Sequence, residues 1–147
     1  MLKALVATAM LSAVSLSAFA QMTPEGLWRS IDDETQKPKA EIRIKGDSGG
    51  VLNGKIDKAL TQGADPNCTK CTDDRKDKPK VGMEIIRGAK KAGGKNVWED
   101  GEILDPENGK TYGLRLTPIE NGAKLEVRGS IGPFGRTQTW VRVPGTN

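Results

Sequence analysis

From Gly26 onward, apolar residues return at every second position and almost nowhere at the spacing of a helix. Ala40, Ile42 and Ile44 alternate with Glu41, Arg43 and Lys45; Tyr112, Leu114 and Leu116 alternate with Gly113, Arg115 and Thr117. Leu125, Val127, Gly129 and Ile131 do the same against Glu126, Arg128 and Ser130. A period of two describes a strand with one buried and one solvated face. Turn chemistry separates these runs, at 32–38, 46–50, Gly93-Gly94, 105–109 and 120–122. Asn108-Gly109 and Asn121-Gly122 supply the positive φ that tight hairpins require. The pattern predicts eight strands, over 26–32, 38–45, 50–58, 82–88, 96–104, 110–118, 123–131 and 136–143.

Strands joined by short turns are antiparallel neighbours. Eight of them, each with one apolar face, form either a sandwich or an up-and-down barrel, and only the barrel leaves no exposed edge. The expected fold is therefore all-β, an eight-stranded antiparallel up-and-down β-barrel carrying one long loop. Ile42, Ile44, Ile85, Leu114, Leu116, Leu125 and Val127 are the expected inward wall. An interior of this size is either filled by side chains or holds one small ligand, and the function turns on which.

The long connection, 59–81, holds both cysteines of the chain as Cys68-x-x-Cys71. A loop of this length among short ones is either functional or stapled. In an exported protein two such cysteines pair as a disulfide. The competing redox reading needs a thiolate at a helix N-terminus, and no strand leading into a helix precedes the pair. Lys70, Arg75, Lys76, Lys78 and Lys80 follow, interleaved with Asp73, Asp74 and Asp77. That mixture reads either as a self-neutralising solvated loop or as a contact for an anionic envelope surface.

The chain's start bears on where it works. Lys3, the apolar run from Leu5 to Leu16 and Ala18-Phe19-Ala20 have the order of a secretory signal peptide, so 1–20 is expected to be cleaved and 21–147 to form the single barrel domain, in the periplasm or outside the cell. The apolar run is too short for a stable membrane span.

Composition narrows the chemistry. Charged residues make up 29% of the chain and the formal net charge is +4, with both signs interspersed, which does not form a nucleic-acid footprint. Histidine is absent, removing the usual general base and the commonest zinc ligand. Ser30, Ser48 and Ser130 lie outside any G-x-S-x-G elbow, and Gly129, Gly132 and Gly135 have the wrong spacing for a dinucleotide turn. No catalytic residue, metal site or cofactor is expected. The best enzyme candidate would be a carboxylate pair among Glu99, Asp100 and Glu102; strict alternation puts Asp100 and Glu102 together on one face, toward solvent.

Aromatic residues make up only 4% of the chain. Trp28 opens the first strand and suits a plug closing one barrel end, with an arginine over its face that also caps carbonyls. Trp98, Tyr112 and Trp140 serve either the same packing or a pocket for an apolar or planar ligand.

Four motifs, in order, carry a resemblance over nearly the whole chain after residue 20. They are Thr23-Pro24-Glu25-Gly26-Leu27-Trp28, Cys68-x-x-Cys71 with Asp74-Arg75-Lys76, Ile103-Leu104-Asp105-Pro106-Glu107-Asn108-Gly109-Lys110-Thr111-Tyr112, and Val127-Arg128-Gly129 running on to Gly135-Arg136-Thr137-Gln138-Thr139-Trp140. Together they resemble a family of small exported bacterial proteins, domain of unknown function 2147. The resemblance implies a lipocalin-like barrel and supplies no reaction; Gly26-x-Trp28 is also similar to the G-x-W signature of lipocalins. The expected function is binding of a small apolar or amphiphilic molecule, with Trp98, Tyr112, Trp140, Leu114, Leu116 and Arg136 as its contacts. Arg128 shares its strand with Leu125 and Val127 but falls on the opposite face, so Arg136 is the preferred polar contact. The alternative is a filled barrel acting on envelope components through the 59–81 loop.

Overall fold

The computed structural model describes residues 22–145. Its strands are β1 (Gly26–Ile31), β2 (Pro38–Gly46), β3 (Leu52–Ala59), β4 (Glu84–Lys91), β5 (Trp98–Asp105), β6 (Lys110–Ile119), β7 (Lys124–Ile131) and β8 (Phe134–Arg142). Each pairs antiparallel with the next, and β1 pairs with β8 through Trp28↔Arg142 and Arg29↔Val141 to close the barrel. The eight expected strands are present, displaced by at most three residues at either end where turns take more or less chain. Asp47, for example, accepts the Gly49 and Val51 amides, which delays β3 to Leu52. Gly132-Pro133 turns so tightly that β8 already starts at Phe134.

Up-and-down order divides the connections between two ends. The β2–β3, β4–β5 and β6–β7 turns lie at one end with the segment before β1; the β1–β2, β3–β4, β5–β6 and β7–β8 connections lie at the other. At the first end the interior is solid. Trp28, Ile44, Ile86, Leu116 and Leu125 are almost wholly buried there and pack in one core with Leu52, Ala89, Trp98 and Leu114.

Local irregularities decide which side chains enter that core. β4 carries a bulge at Gly88 (φ 75°), and Gly54, Ile86 and Ile103 then meet in register. A Cβ on Gly54 would lie 3.1 Å from the Ile86 Cβ, so Ile86 occupies an interior position that strict alternation would not give it. Ile85, between Glu84 and Ile86 where the β3 register shifts a second time, is buried too and lines the interior cavity, as expected. In β5 a second bulge at Asp100 (φ 64°) breaks the alternation assumed for Glu99, Asp100 and Glu102. Glu99 points outward to Arg115 at 3.3 Å, and Glu102 pairs in register with Arg87 on the outer face.

The long β3–β4 connection is ordered by its own bonds. A disulfide joins Cys68 and Cys71, and Cys68 N–H donates to Lys78 O at 2.8 Å while Lys80 N–H donates to Pro66 O at 2.8 Å. Both cysteines are buried, sheltering the bond from attack by an outside thiolate. The loop lies against the β5–β6 turn so closely that a Cβ on Gly109 (φ 73°) would meet the Lys70 carbonyl oxygen at 1.9 Å. Only glycine fits that approach.

Candidate functional site

The two barrel ends differ in what fills them. At the closed end Trp28 donates its indole N–H to Pro24 O at 2.7 Å, and the Arg142 guanidinium stacks 4.1 Å from the Trp28 ring centroid. Arg142 also donates to Gly122 O (2.6 Å), Glu25 O (2.7 Å) and Thr23 O (2.7 Å), tying the segment before β1, the β6–β7 turn and β8 together. Burial pushes its pKa down, and these carbonyls compensate for the water it has lost. A Cβ on Gly26 would sit 2.5 Å from Arg142 Nη1, the local reason for glycine in Gly26-x-Trp28.

The other half of the interior holds a cavity of about 820 Å³. That volume lies in the range of small-molecule sites. Ile42 and Ala40 of β2, Ile56 of β3, Ile103 of β5, Tyr112 of β6, Val127 of β7 and Trp140 of β8 form its wall, which is mainly apolar. Gly129 makes room for the Tyr112 ring, since a Cβ there would approach the Tyr112 Cβ to 3.3 Å.

Polar groups are confined to one side and to the rim. Trp140 donates its indole N–H to Gln138 Oε1 at 3.1 Å; Gln138 Nε2 donates to Asp33 Oδ2 at 3.0 Å; Arg136 lies 3.3 Å from the same oxygen. This chain of contacts bridges the β1–β8 seam where backbone pairing has stopped. Ser30 donates weakly to Ala40 O at 3.3 Å. Across the mouth the Tyr112 hydroxyl accepts from Asn108 Nδ2 at 2.9 Å, and Lys80 pairs with Glu107 at 3.3 Å. The deeper wall carries no charge, so it accommodates only an uncharged part of a guest.

The long loop flanks this mouth as a rigid element. Arg75 is 5% exposed, donates to Glu84 O at 2.9 Å, and grips Asp73 at 2.5 Å. Those Arg75 hydrogen bonds hold the Asp73 carboxyl down at about 2. Asp74 receives Arg87 at 2.9 Å, and this bond chiefly lowers the pKa of Asp74 and raises that of Arg87. Asp73, Asp74 and Arg75 are thus spent on anchoring the loop to β4.

Of the residues expected to contact a ligand, Tyr112, Arg136 and Trp140 line the cavity, and Trp98, Leu114 and Leu116 lie in the packed half. Arg128 is exposed, with its Nη1 3.4 Å from the Thr137 hydroxyl, and does not line the cavity. Glu99, Asp100 and Glu102 do not line it either. Sequence reasoning did not single out Arg142, Gln138, Asp33 or Phe134. Arg142 becomes legible only once β8 is placed beside β1, and Gln138 shares the inward parity of Trp140.

An eight-stranded barrel plugged by Trp and Arg at one end, with an apolar cavity open at the other, is a lipocalin-like fold. A family described as "Uncharacterized protein conserved in bacteria (DUF2147)" matches residues 26–142, and the chain belongs to it. The fold is similar to that of a solved structure titled "Protein HP1028 from the human pathogen Helicobacter pylori belongs to the lipocalin family", with a TM-score of 0.69 and 18% identity over 82% of this chain and 83% of that one. Comparison with curated proteins finds no match.

Proposed function

We propose that this chain is an exported, non-catalytic binding protein that holds one small apolar or amphiphilic molecule in the open half of its barrel. The observation that carries this reading is the cavity of about 820 Å³, apolar in its depth and polar only at the seam and rim. An apolar guest gains roughly 25 cal/mol for each Å² it removes from water there. Tyr112 and Trp140 supply broad contact surface, and Arg136 is placed to meet a polar or anionic head at the mouth. Trp98, Leu114 and Leu116 support the floor from below rather than touch the guest.

Export is supported by the leader-like order of residues 1–20, which lie outside the described residues, and by a disulfide suited to an oxidising compartment. Carboxylate catalysis lacks support, because Glu99, Asp100 and Glu102 do not line the cavity. The surface-acting alternative assumed a filled barrel, and the cavity of about 820 Å³ favours the binding reading over it.

Native mass spectrometry of the protein purified from its own host, followed by denaturation and identification of released molecules, tests the proposal. One small apolar or amphiphilic molecule per chain is expected. An empty protein whose tryptophan emission stays unchanged across a panel of fatty acids and neutral lipids would overturn it.

A further inference from the structure

Five large hydrophobic residues are exposed among the described residues: Met22, Val81, Ile131, Phe134 and Val141. Three of them line the mouth of the cavity: Phe134 at 79% and Ile131 at 55% on the β7–β8 hairpin, and Val81 at 53% across the opening on the β3–β4 connection. Ile131 and Phe134 are cross-strand partners at the tip of the β7–β8 hairpin, with only Gly132-Pro133 between them. A hairpin tip is ordinarily polar, so large apolar groups exposed around an apolar opening mark an interaction surface.

We infer that this mouth docks on a phospholipid bilayer, inserting Phe134, Ile131 and Val81 so that the cavity opens directly to lipid. The inference deepens the proposed function and relies on it for the exchange of a guest, but not for docking itself. Size favours a bilayer over a protein partner. A stable protein interface needs about 800 Å² on each side, far more than three side chains offer, whereas shallow interfacial insertion needs only a few apolar groups beside basic ones. Pro133 has no N–H to offer an added strand at the tip.

The charges beside the tip have the matching sign. Arg128 lies across the hairpin, so near that a Cβ on Gly135 would come 2.6 Å from its Nη2, and it makes no ion pair among the described residues. Lys78, three residues before Val81, is exposed and is outside any ion pair among the described residues. Of the carboxylates at this end, Glu34 stays exposed in the β1–β2 turn, and the others are held in their own turns or paired with a cation. Asp32 accepts the Thr35 amide, Asp65 the Asn67 amide and Asp105 the Glu107 amide; Asp33 and Glu107 face Arg136 and Lys80. Outward cations beside an apolar tip suit anionic headgroups.

The test uses protein purified from its own host, in the processed form expected after export, stripped of ligand, and vesicles of phosphatidylethanolamine and phosphatidylglycerol. Trp28, Trp98 and Trp140 are buried, so Phe134→Trp adds the one exposed indole among the described residues. Its emission should shift to the blue on adding vesicles and be quenched by lipids brominated near the top of the acyl chain. Wild-type protein should sediment with the vesicles, and Ile131→Ser/Phe134→Ser should lower that partition at least tenfold. Unmoved Phe134→Trp emission, or equal partition of wild type and double variant, overturns docking. A blue shift that follows protein concentration without vesicles assigns the patch to self-association and overturns it too. Docking by a protein that binds no guest would sink the carrier reading while supporting the bilayer surface. Transfer of a fluorescent fatty acid to vesicles should accelerate in proportion to vesicle concentration; a rate independent of that concentration overturns exchange by contact.

Discussion

The closed and open ends of this barrel are built from the same eight strands and the same alternation, yet one is a plug and the other a vessel. At the closed end a single large ring, Trp28, fills the axis, and Arg142 satisfies three carbonyls from two chain segments while covering the ring. At the open end the inward positions on facing strands hold Ala40, Gly129 and Ser30 among larger residues, leaving a volume that no side chain occupies. The difference teaches that alternation makes a barrel wall, whereas the sum of side-chain volumes at each level decides whether that level is filled.

The strongest attack on this division is Trp28→Ala, which should cost about 3–5 kcal/mol in chemical denaturation by leaving a cavity in a packed region. The indole also orders Pro24 and carries Arg142, so the upper part of that range is expected. A loss under 1 kcal/mol would mean that the closed end is not the structural anchor. Next is Cys68→Ser/Cys71→Ser, expected to lower stability by about 2 kcal/mol through loss of a short covalent loop, with protease sensitivity rising first between 60 and 83.

A smaller effect sharpens the role of Asp73. Its carboxyl is held below the usual value, so its contribution is present above about pH 4 and is lost as pH falls through about 2. Because that side chain is 40% exposed, solvent screening reduces the contribution to about 1 kcal/mol. Asp73→Asn should therefore be less stable than wild type by that amount at pH 7, and the two denaturation midpoints should converge as the pH approaches 2. Smallest of all is Phe134→Ser at the open rim, expected to change stability by less than about 0.5 kcal/mol because the side chain is already in water. Were its cost to match that of Trp28→Ala, the two ends would not be distinct.

Much of the fold was legible from local pattern. Residues 110–118 and 123–131 alternate cleanly, and Asn121-Gly122 provides the turn between them, so β6 and β7 could be paired from sequence. Trp28 was also legible as a plug, because a large aromatic opening the first strand has few other places to go. The errors came at bulges. Gly88 and Asp100 take positive φ, shift the alternation by a residue, and thereby bring Ile86 into the interior beside Ile85 and turn Glu99 outward. An Asp with positive φ inside a strand leaves no periodic signal in advance.

Half of the expected contact set lies along the cavity and half in the plug for a related reason. Tyr112, Leu114 and Leu116 share one strand and one face, and nothing along that strand distinguishes a residue that meets empty space from one that meets Trp98. Their depth along the barrel axis depends on the stagger of every neighbouring strand.

The sequence by itself determined the strand number, the antiparallel order and the position of the long loop, because a period of two and turn residues act over a few neighbouring positions. Tertiary structure decided which end is solid, where bulges bring an extra side chain inward, which arginine covers Trp28, and where exposed apolar side chains gather. Those outcomes depend on packing between strands far apart in the chain, where volume and register are settled jointly rather than residue by residue.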